Sequence, residues 1–523
     1  MRSKFKGNQL WSKIILWQGL LFGVVVVLLG LWLRWIYPNL PLVDGHPIMA
    51  DGDCYTRLHR VSLILSGKGW IWGFHDFENY PFGIVPHTTF PLDGLLAALA
   101  VVLKPFLSTP LDWAGLLISP MLFLFVFLFL TLFSRSRYGK EQNRSLYENS
   151  ALLLGWALLP GLIWGTPFAR PDHQSLLVVV IFFALWGEER RWRSGGEEWG
   201  IGLAIVWGIG LWVSLYEPLV ILALLGGMNL LIRRREQKWF WAIIGLLFLG
   251  TQGIEGFRFL NLPTIEQKHL STWFHTIGET RGVGMNDFFL IFTVLILLIP
   301  YFLYRFWSKI KDSQTIIMLF GLTVILVGLT LFQRRWLYFS IIPPLLIFAA
   351  IWSLLNRGWK WAMGILFLMN IVISTSHLKS ASDQELPIAT EARSLAKSIQ
   401  GHGGILAPWW ISPPLLYFSG EPIVASSSHQ SIEGIVASSE FYRGSHWGEA
   451  EKILRERKVR WVVAYDEDRL LQNASETLGL SLPSDGRETW ASKLWRTQRL
   501  PTSLKLRAAT AHLRLYEYLS HSP

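Results

Sequence analysis

Long apolar runs, separated by short basic loops, recur from residue 14 to residue 373, and no other feature restricts the fold as much. Inside a bilayer every backbone amide must find its partner within the chain, so such runs fold as helices. A stretch of about 20 apolar residues is enough to span. Ile14–Trp35 follows a basic segment at residues 1–13 (Arg2, Lys4, Lys6, Lys13), and no small-residue cleavage site follows it. This predicts a retained first helix with the N-terminus cytoplasmic. Residues 37–110 then lie outside. Leu92–Leu107 within them is flanked by Asp93 and Lys104 and reads as an interfacial helix.

Leu111–Phe133 is the second span in this reading. The basic loops Ser134–Arg144, Glu188–Arg193, Arg233–Arg235, Lys309 with Lys311, and Arg357 with Lys360 then all fall on the inner side, as the positive-inside rule requires. The intervening runs are Ala151–Ile163, Leu176–Trp186, Ile201–Val213, Leu219–Ile232, Phe240–Leu249, Asp287–Phe306, Ile316–Leu331, Leu337–Leu355 and Trp361–Ile373, which makes about eleven spans. Residues 251–284 form a second outer loop. The net charge of +11 is carried largely by these loops, which suits anionic lipid headgroups and argues against nucleic acid. The single cysteine, Cys54, excludes an internal disulfide and reads as a packing residue.

After about residue 377 the composition turns polar, with strand-like runs (Trp461–Ala464, Leu513–Tyr516) and helical ones (Thr390–Ile399, Trp447–Arg457). Residues 1–377 therefore form a polytopic α-helical membrane domain, and 378–523 a soluble mixed α/β domain on the outer face.

Topology brings four polar clusters to that outer surface: Asp51-Gly52-Asp53, Arg170-Pro171-Asp172-His173-Gln174, Thr276-Ile277-Gly278-Glu279 and Gln333-Arg334-Arg335-Trp336. Carboxylates with a neighbouring histidine or amide suit Mn²⁺ or Mg²⁺, and arginines suit phosphate. Taken singly, Asp-x-Asp is commonly a turn or cap, Glu279 a solvated loop residue, the arginines interfacial anchors, and Glu217 a turn residue between spans.

In their order these clusters resemble the catalytic subunit of oligosaccharyltransferase, a GT-C enzyme that moves a glycan from a polyprenyl carrier to asparagine. Asp53-Cys54-Tyr55-Thr56-Arg57 is similar to the family's first acidic motif, and Pro171-Asp172-His173-Gln174 to its second. Tyr80-Pro81-Phe82-Gly83 with His87 and Pro91-Leu92-Asp93 resembles a stretch near the lipid diphosphate. Thr276–Glu279 resembles the Thr-Ile-x-Glu loop, and Arg335-Trp336 with Tyr338 the phosphate-holding segment, with Arg334 one residue away as an alternative. Trp409-Trp410 resembles the start of the Trp-Trp-Asp-Tyr-Gly signature, but Ile411 stands where the family has aspartate. About eleven spans is two below the family's usual number, so a GT-C-like count of 11–13 is expected.

The resemblance implies Asp53 and Glu279 as catalytic residues. It implies a metal held by Asp53, Asp172, Glu279 and either His173 or Gln174, the latter standing where a second carboxylate or histidine is expected. His87 and Arg334 or Arg335 would bind the lipid diphosphate, and Trp409 and Trp410 the acceptor; with isoleucine at 411 the family's hydroxyl readout is either lost or rebuilt through Ser412. The expected activity is metal-dependent transfer from a polyprenyl-(di)phosphate glycan to protein asparagine. The alternatives are transfer from polyprenyl phosphate to a lipid or cell-wall glycan, and a non-catalytic binder of lipid-linked glycan. Asn473-Ala474-Ser475 reads as a sequon on a surface loop.

Overall fold

The computed structural model describes residues 21–36, 42–43, 45–71, 73–136, 142–194, 200–231, 238–258, 267–284, 287–288, 292, 299–310, 313–352, 354–356, 358–367, 369, 372 and 386–519. The basic segment 1–13, Arg233–Arg235, Lys311, Arg357 and, within Asp287–Phe306, residues 289–291 and 293–298 lie outside the described residues.

The apolar runs fold as helices: α1 (Leu21–Ile36), α2 (Gly52–Leu65), α3 (Phe90–Leu103), α4 (Pro110–Ser136), α5 (Gln142–Leu158), α6 (Pro160–Gly165), α7 (His173–Ser194), α8 (Gly200–Val213), α9 (Tyr216–Leu231), α10 (Lys238–Ile254), α11 (Gln267–Phe274), α12 (Gln314–Phe332) and α13 (Arg334–Trp352). Among the described residues, three stretches are long and apolar enough to cross a membrane: Pro110–Phe133, Gln314–Phe332 and Arg334–Trp352. Several others are apolar helices of 10–17 residues, so the figure of about eleven spans remains an expectation from the sequence. α3 has 14 residues, about 21 Å of helix, in keeping with a short segment that need not span.

A buried arginine repairs a break in the helical layer. Pro160 has no N–H, so the carbonyl four residues back, on Trp156, loses its helical donor. Arg34 of α1 supplies one: Nη2 donates to Trp156 O at 3.0 Å and to Leu162 O at 3.3 Å. Its other nitrogens reach Ala157 O, Gly30 O and Thr166 Oγ1 at 2.9–3.0 Å, and the guanidinium lies 3.8 Å above the centre of the Phe123 ring. A charge in apolar surroundings is tolerated when each donor is satisfied in this way.

The C-terminal unit holds a four-stranded sheet. The chain also has a short hairpin, β1 (Leu42–Val43) and β2 (His46–Pro47), so the sheet strands are β3 (Gly404–Leu406), β4 (Val459–Ala464), β5 (Leu504–Ala509) and β6 (Arg514–Tyr518), in order β3-β4-β6-β5. β3 runs parallel to β4; the other pairs are antiparallel. Both expected strands lie within β4 and β6, apart from Leu513 just before β6. β3, at three residues, is too short to show a pattern, whereas the Leu504-Lys505-Leu506-Arg507-Ala508 alternation of β5 is a strand signal the sequence reading did not pick out. The helices are α14 (Leu386–Ala396), α15 (Ser412–Ser419), α16 (Ile432–Arg443), α17 (Trp447–Glu456), α18 (Glu467–Leu478) and α19 (Trp490–Arg496).

This unit sits directly on α2, α11 and the segments around Phe77–Tyr80 and Asp112. α15 packs along α2, where a Cβ on Gly52 would come 3.3 Å from Trp410 O. Tyr417 Oη donates to Asp112 Oδ1 at 2.6 Å, and Thr272 Oγ1 of α11 to Thr477 O of α18, also at 2.6 Å. Ile423 exchanges backbone hydrogen bonds with Phe77 and Tyr80.

Candidate active site

Asp51 caps α2, with its Oδ1 accepting from Cys54 N at 3.1 Å. The cap sets Asp53 in the first turn, facing the cleft beneath the C-terminal unit, where it is water-accessible and bonded to Ser427. α2 is held from behind by a buried charge cluster. Asp93 accepts from Arg57 Nη1 at 2.6 Å, Arg60 Nε at 2.6 Å and Arg60 Nη2 at 2.8 Å. Cys54 is fully buried, as a packing residue should be.

The second cluster enters at Ala169, held in the left-handed region at φ +52, a conformation that alanine adopts only when its surroundings impose it. Its N–H donates to Leu116 O at 3.0 Å, and its carbonyl accepts from Ala50 N at 2.9 Å. The next residue, Arg170, thereby points into the acidic cleft. Its guanidinium meets Glu279 Oε1 at 2.9 Å, Asp51 Oδ2 at 3.4 Å and Asp172 Oδ2 at 3.5 Å. It also donates to Tyr338 Oη at 2.9 Å and Trp164 O at 3.4 Å. His173 Nδ1 lies 2.7 Å from Asp172 Oδ1, and Gln174 Nε2 donates to Glu279 Oε2 at 2.9 Å.

The Thr276–Glu279 loop is clamped to the start of α13: Arg335 N donates to Glu279 O at 3.1 Å and Arg334 N to Arg281 O at 2.8 Å. Gly282 permits this approach, since a Cβ there would collide with the Leu331 carbonyl. The two arginines then diverge. Arg335 pairs with Glu217, which is completely buried and also accepts from Ser214 Oγ at 2.5 Å. Glu217 is thus an anchor at the start of α9, not the turn residue its sequence context suggested. Arg334 is exposed beside the Trp164 ring, and among the described residues no carboxylate pairs with it.

His87 faces the C-terminal unit, with Nδ1 2.8 Å from Gln430 Oε1 and its ring 4.4 Å from that of His429. The loop Ser426–Gln430 therefore touches Asp53 through Ser427 and His87 through Gln430. Sequence reading missed this loop. Its run of serines followed by His429 and Gln430 matches no motif, although so polar a cluster within the C-terminal unit is a signal that could have been weighed.

Charge in the cleft is uneven. The Asp53 carboxyl is pushed up to about 7, first by the protein enclosing it and then by the negative field of Asp51, Asp172 and Glu279. Burial would also raise Asp172, but His173 and Arg170 outweigh it and hold that carboxyl well below the usual range. Burial lowers both His87 and His429, the latter to about 4 with Arg335 contributing, so both imidazoles are neutral near pH 7.

The acceptor-side residues are placed unevenly. Trp409 and Trp410 are half-buried behind the N-terminus of α2, and Trp409 Nε1 donates to Asn473 Oδ1 at 3.1 Å. With Ser438, Ser439 and Asn473 they line a shallow pocket. Ile411 is turned into the C-terminal core. Ser412 is buried, its hydroxyl directed at Ala407 O and Pro408 O at 3.1–3.2 Å, so its one donor is used internally. Asn473-Ala474-Ser475 lies on α18 with Ser475 buried, not on a surface loop.

The expected metal-ligand set Asp53, Asp172, His173, Gln174 and Glu279 borders one cleft, but its side chains do not close on a common centre. Among the described residues no three His, Cys, Asp or Glu side chains are close enough to hold an ion. The oxygens of Asp172 and Glu279 already face protein donors. As placed, these residues do not fit a divalent metal.

No protein-family model matches the sequence, and no curated protein matches it. Solved structures do match. An oligosaccharyltransferase, AglB from Archaeoglobus fulgidus, in complex with an inhibitory peptide and a dolichol-phosphate, superposes with a TM-score of 0.68 at 13% identity, over 93% of this chain and 79% of that one. An Archaeoglobus fulgidus oligosaccharyltransferase in the apo form gives 0.69 at 11% identity, over 94% and 80%. ArnT from Cupriavidus metallidurans, bound to undecaprenyl phosphate, gives 0.57 at 11% identity, over 97% and 99%. These neighbours are GT-C glycosyltransferases, and the chain has their fold. Shared over more than nine-tenths of the chain, that fold and the apolar helices make it an integral membrane protein.

Proposed function

We propose that this protein transfers a glycan from a polyprenyl phosphate or diphosphate carrier to protein asparagine, in a cleft on the extracytoplasmic side. The observation that carries the proposal is convergence. Asp53, the Arg170–Asp172 segment and Glu279 meet beneath the C-terminal unit, with Arg334 and His87 at the rim. The neighbours support the ligand classes: AglB holds a dolichol-phosphate and a peptide, and ArnT an undecaprenyl phosphate.

In this reading the exposed Arg334 holds phosphate oxygens of the carrier, and His87, whose Nδ1–H is directed at Gln430 Oε1, lines the rim beside them. The acceptor nitrogen attacks the anomeric carbon, and the new C–N bond forms as the C–O bond to phosphate breaks. The electron pair stays on the departing phosphate oxygen, and Asp53 takes the proton released from nitrogen. A carboxylate near neutrality is suited to that task. Arg170 offsets negative charge in the cleft. The pocket of Trp409, Trp410, Ser438, Ser439 and Asn473 would receive the acceptor chain.

Two observations favour a second reading, transfer to a lipid or cell-wall glycan. The superposition with ArnT covers nearly all of both chains, and Ile411 presents no polar atom to a peptide. The test offers purified protein a lipid-linked oligosaccharide with either an Asn-x-Thr peptide or a lipid acceptor, with and without Mn²⁺. Glycopeptide lost in both Asp53→Asn and Glu279→Gln supports asparagine. Product on the lipid alone selects the second reading.

A further inference from the structure

We propose that Arg170 is the resident cation of the acidic cleft and fills the position a divalent metal would take, so that the protein needs no such ion. Every oxygen of three carboxylates faces a protein donor. Glu279 Oε1 accepts from Arg170 and Oε2 from the Gln174 amide, each at 2.9 Å. Asp172 Oδ1 lies 2.7 Å from His173 Nδ1, and its Oδ2 3.5 Å from Arg170. Asp51 Oδ1 accepts from Cys54 N, and its Oδ2 faces Arg170 Nε at 3.4 Å. A hard divalent ion takes about six oxygen ligands, and in three of the four cleft acids each oxygen already faces a protein donor.

Gln174 strengthens the point. Its NH₂ end must face the Glu279 carboxylate, because the amide oxygen there would be repelled. The position where a second acidic or histidine ligand would be needed therefore supplies a donor. The guanidinium is also built in. Its side chain is 11% exposed, Tyr338 Oη and Trp164 O take its remaining N–H groups, and the left-handed Ala169 aims it. A fixed guanidinium stabilises negative charge without a ligand shell of its own.

The inference uses the glycosyltransferase reading only for what the cation does; the binding claim stands without it. Its test is therefore metal binding, measured on the full chain in nanodiscs by Mn²⁺ electron paramagnetic resonance and by metal analysis after dialysis. The wild type is expected to hold less than 0.1 equivalent of Mn²⁺ at about 100 µM, a concentration that would fill a site of Kd near 10 µM by about nine-tenths. Arg170→Ala/Gln174→Asp is expected to gain about one equivalent, lost again when Asp172→Asn is added. Gln174→Asp alone keeps Arg170 and is expected to stay metal-free, which keeps the proposal testable if the double variant does not fold. One equivalent in the wild type, abolished by Asp53→Asn, overturns the proposal, as does stoichiometric Mn²⁺ in Gln174→Asp. A folded double variant that gains no metal also overturns it. If the wild type transfers no glycan under any condition, the functional reading fails while the metal measurement still stands.

Discussion

Replacing Asp93 by alanine should destabilise the protein by about 3–5 kcal/mol, because it strands two buried guanidiniums. Asp93 receives three charge-assisted hydrogen bonds of 2.6–2.8 Å from Arg57 and Arg60, and the side chains are only 4–5% exposed. Such bonds contribute about 1.5–3 kcal/mol each when intact. They are not additive, and the loss is dominated by the uncompensated charges left behind. Asp93→Asn keeps an acceptor oxygen and should lose less. Arg60→Met/Asp93→Ala removes one stranded charge, so it should be less destabilised than the sum of its single variants. Thermal unfolding in detergent, followed by tryptophan fluorescence, reads the effect, at about 2–4 °C per kcal/mol for a unit of 150–250 residues. An unchanged midpoint in Asp93→Ala, or strict additivity in the double variant, would refute the claim that this pairing fixes α2 and with it Asp53.

Transfer should rise with pH through about 7 and level off above it, because Asp53 acts as base only when ionised and its carboxyl sits near 7. Asp51→Asn keeps the helix cap but removes a negative neighbour, so the inflection should move to lower pH; an upward shift contradicts this assignment. Arg334→Ala should weaken carrier binding, measured with labelled polyprenyl phosphate, and leave stability within about 0.5 kcal/mol. Arg335→Ala should instead destabilise by about 3–5 kcal/mol, because it leaves Glu217 buried and unpaired; equal thermal midpoints for the two would defeat the distinction. Gly282→Ala should lower transfer with little change in the C-terminal unit, since it unseats the Glu279 loop from α13. Hydrogen exchange confined to 276–283 checks this.

What the sequence made legible was local. Apolar runs announced helices, Asp51 ahead of α2 had the chemistry of a cap, and the order of Asp53, Asp172, Glu279 and Arg334 suggested one surface. What stayed hidden depends on partners far away in the chain. Arg170 and Glu279 are 109 residues apart, Arg335 and Glu217 118, and His87 and Gln430 343. No spacing rule connects such pairs, so Glu217 looked like a turn, and nothing in the sequence tied Arg170 to Glu279. Ser412 failed differently. Its hydroxyl, two residues after Trp410, looked free in sequence, but the tight turn into α15 bends it back onto its own backbone.

The central claim is that Asp53 stands at the reacting centre of a carrier-dependent glycosyltransferase. Proteoliposomes containing the protein and a labelled polyprenyl-diphosphate glycan test it most directly, with loss of carrier-linked glycan followed in wild type and in Asp53→Asn. The account predicts turnover in the presence of an acceptor, reduced about 10²–10⁴-fold by the substitution, with carrier binding retained. Undiminished turnover in Asp53→Asn would contradict it, as would tight carrier binding by the wild type with no turnover on any acceptor.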